Sequence, residues 1–396
     1  MARDSGNGIR FGTRELAGAV ADIGVLLPIA VALIVSNGLS ATAVLLPAGL
    51  LYVTVALAYA LPIPVQPLKA FGAIAIAKGL GSDEIAAGAL LMGVIFLVLG
   101  RTGLIDLAAR AFPKPLIRGV QITVGLLFLK IAWGLVSDPP SSFDGAGPGT
   151  AAATALAVAG VVLLIALRRV AISLAMVGVG VVLMLVQAGD ELSFGPSALT
   201  LPDFDAGVLW TALTVLVIPQ LPLSFANSCL ATADAARTYF GERAEHIRPG
   251  RLATSLGTAN VLAGAISGMP VCHGAGGLTA HYAFGARTGG APLALGSTLL
   301  VIAVAAGSGL AAVLTAFPLP ILAAMLAAAG VLHIGLARDL AGAREIALAL
   351  LVAVLGFWLN LAVGLGAGLL VWWAGRASSR LRSWRDPGLA PSRSSG

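Results

Sequence analysis

Two proline-valine turns carry the residues best suited to chemistry in this chain. The first reads Pro64-Val65-Gln66-Pro67-Leu68-Lys69-Ala70-Phe71-Gly72, and the second Pro270-Val271-Cys272-His273-Gly274-Ala275-Gly276-Gly277. Each follows a full-length apolar segment and precedes a short one, the arrangement expected of two helices broken near the middle of a membrane. A helix start has unpaired N–H groups and carries roughly half a positive charge, so two starts aimed at one point sum to about one. Lys69, in the first turn of its segment, adds a full charge. Pro67 suits a helix start, where its missing N–H costs nothing. The chemistry implied is capture of a doubly charged oxyanion; a neutral ligand needs none of this charge.

Each candidate has a plainer role to weigh. Gly274, Gly276 and Gly277 let an anion approach the backbone, but glycines in membrane helices also serve close packing. Ala70 and Ala275 sit beside them at the starts of the two short segments. Lys69 could touch the anion, pair with an acid or snorkel. Asp22 lies within an apolar span, where a carboxylate costs about 2.5–3.5 kcal/mol and is a functional candidate by default. It could orient the first segment, pair with Lys69 or carry a coupling proton. His273 could donate to an oxyanion, titrate near neutral pH or only cap the turn. Gln66, Gln220, Asn227 and Ser228 supply neutral donors and acceptors whose placement favours one shared polar cavity. Glu15, Asp234 and Arg287 fall near segment ends, where interfacial or inter-helix pairing is expected, and Lys130 suits snorkelling or packing.

The elements that position these residues follow from composition. Of 396 residues 58% are hydrophobic and 11% charged, against about 25% charged in soluble domains. With a mean hydropathy of +0.96, the chain must present its surface to lipid. The apolar runs of about 17–25 residues indicate helices and not the strands of a barrel. Fourteen segments are expected, at about 15–36, 41–61, 66–80, 84–100, 115–137, 150–167, 170–187, 207–232, 252–268, 273–285, 291–316, 319–336, 345–359 and 361–375. Segments three and ten are too short to span. They become plausible if the preceding turn crosses half the bilayer in extended form, buried against protein or a cavity.

Basic residues collect on one side of this arrangement: Arg101, Arg110, Lys114 and Arg118, then Arg237, Arg243, Arg248 and Arg251, among others. The opposite connections hold Asp138, Asp144, Asp190, Glu191, Asp203 and Asp205, with Lys78 as their basic residue. Positive charge marks the cytoplasmic face, which places both termini there. The expected organisation is a cytoplasmic N-terminus (1–14), a first seven-segment repeat (15–187), an acidic extracytoplasmic connection (188–206), a second repeat inserted upside down (207–375) and a disordered cytoplasmic tail (376–396). No cleavable signal is apparent before the first span. Cys229 and Cys272 fall in membrane regions, which argues against a disulfide scaffold.

Several motifs together resemble the molybdate transporter family, which is related to sulfate permeases and nucleobase transporters. They are Glu15 to Gly24 followed by Pro28, the turn Pro64 to Ala70, Pro219-Gln220-Leu221-Pro222-Leu223 with Asn227-Ser228, Cys272 to Leu278, and Phe284-Gly285-Ala286-Arg287-Thr288-Gly289. The resemblance implies an all-α seven-plus-seven inverted-repeat fold. In it a core of segments one to four and eight to eleven moves against a gate of segments five to seven and twelve to fourteen. It also implies import of molybdate, with tungstate or sulfate as related substrates, and no regulatory domain after the last span.

Proton symport is the expected energy source, because an inward-negative potential opposes an unaccompanied dianion by about 2.3 kcal/mol per charge per 100 mV. A sulfate or nucleobase permease on the same scaffold is the nearest alternative, and an anion channel a more distant one. An enzyme is not expected, since the four histidines are scattered and no nucleotide-binding or zinc motif is present. No cofactor, metal or nucleic-acid partner is expected. Lipid is the surrounding partner, and a homodimer is compatible with the chain. The Ala-, Gly- and Arg-rich composition suits a bacterial inner membrane.

Overall fold

The computed structural model describes residues 8–110, 112–139, 143, 148–166, 170–188 and 193–385. Asp144, Asp190, Glu191, Arg168, Arg169 and the tail from 386 onward lie outside the described residues. Helices account for nearly all regular structure: α1 Thr13–Ala19, α2 Ile23–Val35, α3 Ala41–Tyr59, α4 Lys69–Lys78, α5 Ser82–Arg101, α6 Leu104–Ala109, α7 Lys114–Ser137, α8 Thr150–Ala166 and α9 Val170–Ala188. The second part holds α10 Ala206–Thr211, α11 Ile218–Leu223, α12 Thr232–Phe240, α13 Pro249–Ala265, α14 Ala275–Ala283, α15 Gly290–Ala305, α16 Leu310–Leu314, α17 Leu319–Ile334, α18 Ala343–Trp358 and α19 Leu361–Arg385. Two short strands, β1 Gln66–Pro67 and β2 Val271–Cys272, immediately precede α4 and α14.

Among the described residues five helical stretches are long and apolar enough to cross a membrane, or six if the pair Thr13–Leu27 and Ile29–Val35, bent by 41°, is one span. The longest, Ala206–Ala244, passes through α10, α11 and α12 with π-helical turns at Ala212–Val217 and Ser224–Ala231. Pro219 and Pro222 lie in the α-helical stretch between the two π turns. Each lacks the N–H for an α-helical bond, and its ring clashes with the carbonyl one turn earlier. The wider π turn is a known accommodation and is frequent at functional sites. This helix runs well past the 207–232 expected from hydropathy, and α19 extends beyond 375.

Two hydrophobic clusters organise the packing. One joins buried residues of α3, α5, α13 and α15, including Tyr52, Met92, Leu256 and Leu295. The other joins α7, α8, α17 and α18, including Val124, Ala157, Leu326 and Val352. Small residues permit the closest crossings: a Cβ on Gly264 of α13 would stand 2.6 Å from Leu90 N of α5. Gly125 of α7 and Gly330 of α17 are each other's close contact, their ideal Cβ positions 2.8 Å from the opposite carbonyl. α4 and α14 lie where the clusters meet. Phe71 and Leu278 belong to the first cluster, whereas Ala275 and Ala280 belong to the second.

The two approaches to the strands match. α3 ends at Ala60 (φ 52°), and two residues past the end of α13 the chain turns at Ser267 (φ 51°). These are the only non-glycine residues with positive φ among those described. Left-handed backbone at a residue with a Cβ costs about 1–2 kcal/mol, so both turns are held by what surrounds them.

Candidate functional site

β1 and β2 run antiparallel, with Gln66 opposite Cys272 and Pro67 opposite Val271. Extended backbone this deep in an apolar protein must find partners, and side chains from neighbouring helices supply them. Asn260 of α13 clamps Val271 from both sides, donating to its carbonyl at 2.8 Å and accepting from its N–H at 2.7 Å. His281 Nδ1 lies 2.9 Å from the Pro62 carbonyl, and His273 Nδ1 lies 3.0 Å from that of Pro64. Leu68 N donates to the Pro270 carbonyl at 3.1 Å.

α4 and α14 each start within three residues of this crossing, and a Cβ on Gly274 would stand 3.4 Å from Lys69 Nζ, so their N-terminal ends are close together. In α14 the first-turn amides of Ala275, Gly276 and Gly277 precede the first intrahelical bond, Leu278 N to Gly274 O at 3.0 Å. In α4 the corresponding bond is Gly72 N to Leu68 O at 2.7 Å, and Gln220 Oε1 accepts from Phe71 N at 2.9 Å. Gln220 therefore caps one helix start and donates its other end to Ser224 Oγ at 2.9 Å.

Lys69 and Asp22 do not touch; Gln66 stands between them. Its Oε1 accepts from Lys69 Nζ at 2.8 Å and its Nε2 donates to Asp22 Oδ1 at 2.6 Å. The second Asp22 oxygen accepts from the Tyr52 hydroxyl at 2.5 Å and lies 2.9 Å from His281 Nε2. Asp22, Gln66, Tyr52 and His281 are fully buried, and Lys69 is nearly so. The Lys69 ammonium also faces the Phe128 ring of α7, 5.4 Å from its centroid.

The glycines differ in what they face. A Cβ at Gly276 would meet the Phe128 ring at 2.7 Å, whereas one at Gly277 would meet Asp22 Oδ1 at 2.6 Å and collide with Gln66 Nε2. A Cβ at Gly274 would collide with Gln66 Oε1. Absence of side chains at these positions makes room for the Gln66 bridge and for Phe128, while leaving the amides at the helix start. His273 has both ring nitrogens engaged, since Ser255 Oγ lies 2.8 Å from Nε2, and it braces the turn. Asp234 pairs with Arg118, and Arg287 stacks on Tyr282 at 3.8 Å. Both cysteines are buried and free.

Some buried polar atoms on the neighbouring helices have no partner. Asn227 Oδ1 and His333 Nε2 are buried without a hydrogen-bond partner, and Ser228 Oγ faces the Cys272 thiol. Asn227 and Ser228 lie on the second π turn, and His333 Nδ1 is 2.7 Å from Thr279 Oγ1 on α14. Buried polar atoms are nearly always paired in proteins, so an unpaired set beside two helix starts and an ammonium is suited to a polar ligand. Among the described residues no group of three or more His, Cys, Asp or Glu side chains could hold a metal ion. Tyr52, His281, Phe128, Thr279 and His333 were not anticipated. Only His281 had a local signal, lying four residues after Gly277 and hence on the same helix face.

The family described as "Molybdate transporter of MFS superfamily" matches residues 14–128 and 212–332, either side of the acidic connection. The chain belongs to the molybdate transporter family. Its relatives include Molybdate transporter 1 of Arabidopsis thaliana, 28% identical over 90% of this chain and 87% of that protein. Molybdate transporter 2 of the same plant is 27% identical over 90% and 86%. These relatives are transporters, not enzymes. Among solved structures, the membrane domain of the cyanobacterial bicarbonate transporter BicA superposes with a TM-score of 0.58 at 19% identity, covering 90% of this chain and 96% of that one. The murine solute carrier 26 member A9 anion transporter, inward-facing, gives a TM-score of 0.62 at 14% identity, covering 96% and 69%. This member of the family thus has a helical membrane fold of the solute carrier 26 type.

Proposed function

We propose that the protein is a secondary active importer of molybdate, coupled to protons, built from two inverted seven-segment repeats. The observation that carries the reading is the antiparallel crossing of β1 and β2, which sets two helix starts and Lys69 around one buried, partly unpaired polar site. Two helix ends contribute about one positive charge, and Lys69 a second, which balances a tetrahedral dianion. Lys69, the amides of Ala275 to Gly277, Ser228, Asn227 and His333 are the proposed anion contacts. Sulfate and tungstate share the charge and shape.

Packing supports the repeat. Under a seven-segment shift α3 corresponds to α13, α5 to α15 and α7 to α17. The pair α5 with α13 then maps onto α15 with α3, and α7 with α18 onto α17 with α8; all four pairs are among the most extensive helix contacts. The matching turns at Ala60 and Ser267 obey the same operation. The two hydrophobic clusters support a core built on α3, α5, α13 and α15 and a gate built on α7, α8, α17 and α18. Phe128 and Lys69 meet across that division, so relative motion of the two bodies would open the site.

Asp22 and His281 are the proposed proton carrier. With one shared proton the pair is neutral overall; without it the pair is a net anion, linked through Gln66 to Lys69. A dianion binds more readily beside the neutral form, so proton and substrate favour each other. Moving two charges against ~100 mV costs about 4.6 kcal/mol, which the proton gradient would offset. The test is uptake of radiolabelled molybdate by the purified chain in liposomes, with sulfate, tungstate and uracil as competitors. Saturable, concentrative uptake inhibited by the oxyanions and not by uracil is expected; inhibition by uracil alone would exclude the reading.

A further inference from the structure

Away from the crossing, two cavities on the arginine-rich side adjoin each other. One, of about 360 Å³, is lined by Asp106, His246, Arg248, Gly250, Arg251 and Thr254. The other, of about 610 Å³, runs between α3 and α13 over Leu50, Leu51, Ala58, Ala259 and Leu262, and shares Arg251 and Thr254 with the first. Leu50, Thr54, Ala58 and Thr258 are exposed on its walls, so this groove opens outward, to the hydrocarbon that surrounds a membrane helix. In the polar cavity His246 Nε2 is occupied at 3.0 Å by the Tyr59 carbonyl, and Asp106 Oδ1 accepts from Gly250 N at 2.9 Å. Arg248 and Arg251 are exposed, and two guanidinium groups outweigh the one carboxylate.

We propose that this composite groove is a binding site for an anionic phospholipid, its phosphodiester held by Arg248 and Arg251 and an acyl chain lying between α3 and α13. A basic pocket at the headgroup level beside an apolar furrow matches the two ends of such a molecule, whereas a free anion would leave the furrow unfilled. The site also communicates with the crossing. The Tyr59 hydroxyl, on the groove wall, donates to the Arg251 carbonyl at 2.9 Å and lies 3.1 Å from Ser255 Oγ, which in turn contacts His273. Lipid that orders the groove therefore steadies the turn that precedes α14.

The purified full chain in detergent is melted with added dioleoylphosphatidylglycerol, dioleoylphosphatidylcholine or inorganic phosphate. Phosphatidylglycerol is expected to raise Tm in a concentration-dependent manner, as any ligand of the native state does, while the other two leave it unchanged. The Arg248→Ala/Arg251→Ala variant should melt like the parent without lipid and lose the shift. Thr258→Trp, which fills the furrow without altering the basic pocket, should lose it too. An equal shift in either variant, or the same shift with phosphate or phosphatidylcholine, overturns the proposal. So does conversion of a dimer to a monomer by Thr258→Trp, which would assign the groove to a second copy of the chain.

Discussion

Gln66 uses both ends of one amide to join a cation and a carboxylate that do not touch each other. Its position explains why Lys69 can remain near the helix starts while Asp22 is held by Tyr52 and His281. Lys69→Ala should therefore weaken molybdate binding and leave the fold intact, because the ammonium contributes one bond to Gln66 and no contact to Asp22. Loss of a charge-assisted hydrogen bond is worth about 1.5–3 kcal/mol, or roughly 10- to 150-fold in Kd. Calorimetric titration of the purified variant measures this, and an unchanged Kd would assign Lys69 to structure.

At the scale of elements, the crossing depends on helices that do not form it. Asn260 satisfies both backbone groups of Val271, so Asn260→Leu should orphan a buried N–H and a buried carbonyl at about 1–3 kcal/mol each. A clearly lower Tm is expected, together with loss of uptake, although residue 260 lies outside the proposed anion site. A second device sits at the arginine-rich end. Arg118 of α7 makes a two-pronged bond to Asp339, at 2.8 and 2.7 Å, and also pairs with Asp234 of α12. This ties α7, a helix of the second hydrophobic cluster, to the long helix, which contributes buried residues to both. Arg118→Gln should favour opening on that side, and the buried free Cys272 is a native reporter. In a Cys229→Ala background, maleimide labelling of Cys272 should be faster in the variant; a loss of about 1.4 kcal/mol of closure raises the open population roughly tenfold. Unchanged labelling would mean that the ion pair does not restrain the motion.

At the scale of the whole molecule, the charge carried and the potential crossed set the energetics. Uptake in proteoliposomes should rise when the outside is made more acidic than the lumen and should collapse with a protonophore. His281→Asn removes the titratable partner of Asp22 but keeps a donor near it. The variant should lose its response to the pH gradient while exchange of internal for external molybdate persists at reduced rate. A variant that still accumulates molybdate against its gradient when the lumen is alkaline would remove Asp22–His281 from the coupling step.

Membrane class and the two turns that precede short helices were legible from composition and local pattern. Apolar runs broken by Pro-Val are properties of adjacent residues, and a helix start announces itself through proline and glycine chemistry within a few positions. The long helix through Pro219 and Pro222 was legible only as a segment. Its π turns depend on packing that lets those prolines stay inside it. Partnership was decided by tertiary structure. Asp22 meets His281, which stands 259 positions away in the chain, and Gln220 reaches Phe71 across 149. Gly276 turns to Phe128 while its neighbour Gly277 turns to Asp22. Adjacent positions on a helix point about 100° apart, so which of them meets the polar cluster depends on how α14 is rotated against its neighbours, a quantity with no local signature in the chain.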